Sequence, residues 1–192
     1  LEVARRRLVF EELFLLTCGL QLLRQRRRDV AGPACRRMSM EPFYRRLPFA
    51  LTGAQRRAIA DAVEDMVSGK PMNRLCQGDV GSGKTMVAAA CIWFAVKNGW
   101  QTALMAPTEI LARQHYQGLA PLLARFSIRC ALLTGSIRAK ERREILAGLA
   151  DGSIDLCIGT HALLTEDVQY RRLGLVVTDE QHRFGVNQRA AL

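Results

Sequence analysis

From about residue 47 onward, short apolar runs alternate with longer segments of helical pattern. The short runs are RLCQ (74–77), TALMA (102–106), IRCALL (128–133), IDLCIG (154–159) and LGLVVT (173–178). Between them lie KTMVAAACIWFAVKN, TEILARQHYQGLAPLLARF and RAKERREILAGLA. Strand-length runs joined by helix-length connections predict a parallel sheet covered by helices on both faces. Upstream, Leu13, Leu16, Leu20 and Leu23 recur at three and four, which predicts a helix over residues 1–29 with arginines clustered at either end. Such a helix usually packs on a neighbouring domain. DVAGPACRRMSMEP (29–42) contains Gly32, Pro33 and Pro42 and no sustained period, so it reads as a linker or irregular arm. The expected organisation is a basic helical arm and linker over 1–46, then an α/β domain over 47–192.

Charge sharpens this division. Lys and Arg number 28 against 18 acids, a net +10, and residues 1–46 alone hold 11 Arg against 5 acids. A basic balance suits a polyanionic partner such as nucleic acid, although a solubilising face would look the same. The six cysteines are far apart, without a C-x-x-C pair or a histidine at zinc spacing, which suits reduced thiols in a cytoplasmic protein. LFLLTCGLQLL is too short to span a bilayer, and its arginines follow it rather than precede it, so neither a membrane anchor nor a signal peptide is expected. Leu1 is not an initiator methionine and QRAAL closes no element, so the chain reads as a piece of a longer one.

The chemistry begins at GDVGSGKT (78–85), which fits G-x-x-x-x-G-K-[ST] between an apolar run and a helix former run. Gly78, Asp79, Val80, Gly81, Ser82 and Gly83 supply a loop whose N–H groups can turn inward around phosphate oxygens. Lys84 adds a point charge, and the Thr85 hydroxyl faces a divalent metal. LGLVVTDE then ends a strand on two adjacent acids, where such a fold needs its second metal contact. Asp179 is placed to hold Mg²⁺, and Glu180 to orient and deprotonate water. APTEI (106–110), LTGS (133–136) and GTHALL (159–164) lie where strands give way to loops on one edge of the sheet, as ligand-binding loops do in open parallel sheets. Short hydroxyl- and Gly-rich loops there suit a phosphodiester backbone, while Thr108 could equally be a helix N-cap. His161 and His182 lack a third ligand at zinc spacing, and His115 reads as a helix-surface or packing residue.

Gln55 in LTGAQRRAI, together with QGDVGSGKT, MAPTEILARQH, LLTGS, GTHALL and DEQHRFGVNQR, closely resembles the first motor lobe of the RecG-type ATP-dependent DNA helicases of superfamily 2. The resemblance covers about residues 47–192, and DEQHRFGVNQR is its most specific part. It implies a RecA-like P-loop NTPase lobe using ATP and Mg²⁺. By the same resemblance Gln55 recognises the adenine edge, and Gly83, Lys84 and Thr85 hold the triphosphate and metal. Asp179 and Glu180 are the acids of catalysis. Gln181 and His182 report nucleotide state to a second lobe. Pro107, Thr108, Thr134, Gly135, Thr160 and His161 track one strand's backbone. Thr178 departs from the aliphatic residue expected before the acids.

The family's partners would be branched DNA (forks and junctions), a second motor lobe and an N-terminal wedge domain, with no membrane. The 192 residues alone are expected to bind nucleotide but hydrolyse it poorly. Three other readings remain at this stage: a transcription-repair coupling translocase lobe, an RNA helicase lobe, and an interaction module with a structural P-loop. Intact Lys84, Thr85, Asp179 and Glu180 weigh against the last.

Overall fold

The computed structural model describes residues 2–28 and 32–180. Four parallel strands, β1 (Gln101–Met105), β2 (Cys130–Leu133), β3 (Leu156–Gly159) and β4 (Leu173–Thr178), form a sheet in the order β2-β3-β1-β4. Every residue of β1 and β3 is buried, as expected of parallel strands covered on both faces. Their side chains divide by alternation. Leu104, Leu132, Leu156, Ile158 and Leu175 face one core, and Ala103, Met105, Ala131, Leu133 and Cys157 face the other.

The first core is closed by α3 (Gly53–Val67), α4 (Lys84–Lys97) and α5 (Glu109–Ala124). Helix α4 is apolar nearly all round because it is sandwiched; Ala89 through Ala95 are all buried. Helix α3 starts at a reciprocal capping box. The Thr52 hydroxyl accepts from the Gln55 N–H at 3.2 Å, and Gln55 Oε1 accepts from the Thr52 N–H at 2.9 Å. It buries Ile59, Ala62, Val63 and Met66 along one stripe. The second core is closed by α6 (Ala139–Asp151), through Ile145 and Leu149, and by a 3₁₀ turn at His161–Leu164. Gln101, buried at the start of β1, ties the layers together. Its Nε2 donates to the Leu149 and Ile154 carbonyls at 2.9 and 2.8 Å, and its Oε1 accepts from the Arg172 N–H at 3.0 Å.

Helix α1 (Glu2–Arg28) carries the ion pairs Glu2–Arg6 and Arg7–Glu11 one turn apart, and its Leu8, Phe10, Leu13 and Phe14 are exposed. Residues 32–39 are irregular, as their Gly and Pro content predicts. They are nonetheless held on the lobe: the Cys35 N–H donates to the Met66 carbonyl at 3.1 Å. Phe43, in the short α2 (Glu41–Tyr44), is fully buried with its ring centroid 5.6 Å from that of Trp93 and 5.3 Å from that of Phe126. Burial of that ring contributes roughly 1.5–3 kcal/mol.

One expected element differs. RLCQ (74–77) forms no strand. It is exposed throughout, with Leu75 75 % accessible, and Arg74 is anchored instead on Asp65 at 2.7 Å. A parallel strand exists only through its neighbours' hydrogen bonds. Among the described residues the outer edge of β4 does not pair with this segment, so its backbone is left to water. Among the described residues no helix is long and apolar enough to cross a membrane.

Candidate functional site

The loop of residues 78–83 leads into α4 through Gly83, which caps the helix in a left-handed conformation at φ +79°. Gly81 has the same φ, and the Ser82 N–H donates to the Asp79 carbonyl at 3.1 Å, closing a tight turn. Gly83 is favoured by that left-handed backbone, and a Cβ there would also make the Gln55 amide shift. Lys84, the first residue of α4, folds back across the loop. Its Nζ donates to the Gly78 and Asp79 carbonyls at 2.7 and 2.9 Å. Asp79, Val80, Ser82 and Thr85 are exposed around it. The helix N-terminus and this ammonium together concentrate positive charge at the loop.

Gln55 reaches the loop from the α3 cap, and its Nε2 donates to the Ser82 carbonyl at 2.8 Å. Its oxygen and one of its N–H groups therefore brace the protein. Sequence reasoning read the residue as a nucleotide contact and passed over its structural role, although T-x-x-Q before an apolar run is itself a capping signature.

The acids sit one residue beyond β4. The Asp179 N–H donates to the Met105 carbonyl at 2.9 Å, so the chain is still fixed to the sheet when the first carboxylate appears. Asp179 Oδ1 accepts from the Glu180 N–H at 3.0 Å. Glu180 adopts φ +51°, an uncommon backbone for a side-chain-bearing residue, of the sort that clusters at functional sites. Asp179 Oδ2 lies 2.7 Å from His115 Nε2. His115 is therefore a partner of Asp179, where the sequence reading had it as a packing or surface residue. The contact joins positions 64 apart in the chain. Thr178 is half-buried and ends β4 in register with Met105. Gln181 and His182 lie outside the described residues.

The rim loops follow β1, β2 and β3. Thr108 is a true N-cap, its hydroxyl accepting from the Leu111 N–H at 3.3 Å, while Pro107 beside it is half-buried. Gly135 and His161 are exposed, but the Thr134 and Thr160 side chains are buried, at 1 % and 2 % accessible. The Thr134 hydroxyl lies 3.3 Å from that of Ser136 in the same loop. Glu109 clamps the second loop to the first: it accepts from the Ser136 N–H at 3.1 Å and from the Ser136 hydroxyl at 2.6 Å, and Arg113 donates to the same hydroxyl at 3.1 Å.

Among the described residues no group of three His, Cys, Asp or Glu side chains could hold a metal unaided. The available donors near the loop and acids are hard oxygens, the Thr85 hydroxyl and the Asp179 carboxylate. That set fits a divalent cation that arrives with phosphate oxygens of its own, as Mg²⁺ does, rather than a soft-metal cage.

A glycine loop closed by a lysine at a helix start, with acids at the end of a parallel strand, defines a RecA-like P-loop nucleoside triphosphatase fold. The DEAD/DEAH box helicase family model matches residues 52–192, and the chain belongs to that family. Within it the resemblance is to the RecG type. The chain is 50 % identical over its whole length to the ATP-dependent DNA helicase RecG of Thermotoga maritima and 48 % identical to that of Bacillus subtilis, of which it spans 25 % and 29 %. It also superposes on RecG in a structure of that protein bound to a three-way DNA junction, with TM-score 0.88 and 49 % identity over 95 % of this chain and 25 % of the other. The UvsW helicase of bacteriophage T4 shares the fold at TM-score 0.61 and 11 % identity, over 83 % of this chain and 56 % of that one. The chain thus spans about a quarter of the length of its RecG relatives.

Proposed function

We propose that these residues form the ATP-binding lobe of an ATP-dependent DNA helicase that remodels branched DNA, acting in fork regression and Holliday junction branch migration during repair and recombination. The observation that carries this reading is the Lys84 loop together with the Asp179–Glu180 pair, in a chain half identical to RecG from end to end.

In this reading Lys84 exchanges the Gly78 and Asp79 carbonyls for phosphate oxygens, and the α4 N-terminus faces the same anion. The remaining N–H of Gln55 meets the adenine edge. Thr85 and Asp179 would hold Mg²⁺, which would supply positive charge against the phosphates. Glu180 takes the proton of the attacking water. Pro107, Thr108, Gly135 and His161, with the backbone beside Thr134 and Thr160, contact the phosphodiester backbone of one strand. Gln181 and His182 relay nucleotide state to a second motor lobe, and a wedge domain of the same protein grips the junction. The residues at 47–192 form the lobe, and those before them the arm. Motors of this kind lean on an arginine from a partner lobe, worth about 10³–10⁵ in rate, so hydrolysis by these 192 residues alone is slow. The six cysteines are free thiols, and burial pushes Cys91, Cys130 and Cys157 up to about 12, which supports a reducing, cytoplasmic setting.

The test is titration of a fluorescent ATP analogue with Mg²⁺ into the wild type and Lys84→Ala, followed by competition among forked DNA, linear duplex and RNA at one salt concentration. Lys84-dependent nucleotide binding and preference for the fork are expected. Binding indifferent to Lys84→Ala sinks the reading, and preference for RNA moves it to an RNA-acting motor.

A further inference from the structure

His115 touches Asp179 and has no part in the proposed mechanism. Its side chain is 16 % accessible and that of Asp179 36 %, so the 2.7 Å contact between Nε2 and Oδ2 is part-buried. An ionised carboxylate has only acceptors, so the ring nitrogen that faces it must carry the hydrogen. The other oxygen, Oδ1, is occupied by the Glu180 N–H. The two contacts together fix both the rotation and the tilt of the carboxylate, while Asp179 N–H holds the backbone to β1.

The histidine is itself well fixed. It lies on α5, the helix whose first residue, Glu109, and next turn, Arg113, both grip Ser136. The start of that helix is capped by Thr108. A side chain on so braced a helix presents its nitrogen from a constant direction, which a solvent-exposed donor would not. Hydrogen bonds made to a ligating carboxylate by its outer neighbours orient it and tune its metal affinity.

We propose that His115 is a positioning residue, holding the Asp179 carboxylate in the orientation from which it takes up the nucleotide-bound divalent cation. This rests on the reading of Asp179 as a metal ligand. His115 touches neither nucleotide nor metal in this scheme; it acts through Asp179. His115→Leu keeps bulk without a donor, and His115→Gln returns an amide N–H near the place of Nε2.

The experiment is an electron paramagnetic resonance titration of Mn²⁺ into the full chain with a non-hydrolysable ATP analogue, for wild type, Lys84→Ala, His115→Leu and His115→Gln. His115→Leu is expected to weaken Mn²⁺ uptake by about 10–100-fold, with the analogue still retained, and His115→Gln to recover most of it. Equal Mn²⁺ affinity in wild type and His115→Leu overturns the positioning role while leaving the nucleotide reading intact. Absence of Lys84-dependent uptake in the wild type overturns both.

A second measurement does not depend on a folded leucine variant. Nitrogen NMR of the imidazole in the wild type should show hydrogen on Nε2 of His115, and Asp179→Asn should shift that signal. An Nε2 without hydrogen, or a signal indifferent to Asp179→Asn, overturns the proposal.

Discussion

Gln55 and Ser82 are 27 residues apart in the chain and 2.8 Å apart in space, amide nitrogen to carbonyl oxygen. The same glutamine completes the cap of α3, so one side chain serves a helix start and a phosphate loop at once.

Two substitutions at Gln55 separate these roles. Gln55→Ala removes both and is expected to cost roughly 0.5–2 kcal/mol of stability along with nucleotide affinity. Gln55→Glu keeps an acceptor for the Thr52 N–H but faces the Ser82 carbonyl with a carboxylate. It should hold its stability within about 0.5 kcal/mol and still bind nucleotide more weakly. Urea denaturation beside nucleotide titration decides; equal nucleotide affinity in Gln55→Glu and wild type would mean the Ser82 contact is idle.

Gly83→Ala meets two obstacles, a positive φ and the Gln55 amide in the way of its Cβ. The left-handed backbone alone costs about 1–2 kcal/mol. The expected outcome is a lower urea midpoint and lost nucleotide binding. At Gly81, where a Cβ would meet open space, alanine should show the backbone cost without the collision.

Glu109→Ala releases Ser136 from both of its carboxylate bonds and leaves Arg113 without an acid near the shared hydroxyl. Stability should fall by about 1 kcal/mol, and affinity for forked DNA should fall because the second rim loop is no longer held against the first. Fluorescence anisotropy at one salt concentration reads the DNA effect. Unchanged DNA affinity in a loosened loop would remove this rim from the nucleic-acid interface.

Acid stability has a nameable contributor. The Thr165 hydroxyl beside Asp167, and then the Arg142 guanidinium, hold its carboxyl below the ordinary value of 3.8. A carboxyl depressed in the folded state contributes stability above its unfolded pKa, and that contribution is lost as pH falls through the lower, folded value. Melting temperature should therefore drop below about pH 4, and less steeply in Asp167→Asn than in wild type. Parallel profiles would exclude Asp167 as the cause.

Thiol chemistry offers a probe of the loop. Cys76 is exposed two residues before Gly78, whereas Cys91 and Cys157 are buried with thiols pushed up to about 12. Ellman's reagent should modify Cys76 well before those two, and Mg²⁺–ATP should slow that modification. A Cys76 rate indifferent to nucleotide would argue that phosphate does not seat at the neighbouring glycines.

The four paired strands were legible because each is a short apolar run between turn residues, and their shared parallel direction followed from the helix-length links. The P-loop was legible because its backbone geometry demands glycine at fixed spacing, and the place of the acids because they close an apolar run. RLCQ misled for the opposite reason. Its composition suits a strand, but composition cannot supply the neighbouring ladder that makes one. The burial of Thr134 and Thr160 was not legible, because a strand-end threonine reads the same whether it is covered or open. His115 was beyond local reading altogether, since its partner is set by how α5 lies across the sheet.

Lys84 is a partnered charge. Its ammonium already rests on two carbonyl oxygens, so entry of a ligand is a trade rather than an addition. A chloride or a lone carboxylate offers too few acceptors to make that trade worthwhile, whereas a chain of phosphates presents several oxygens to the lysine and the helix end together. On the proposed reading the loop's own carbonyls would compete with the ligand and set a threshold, so that selectivity for polyphosphate would arise before any base is recognised.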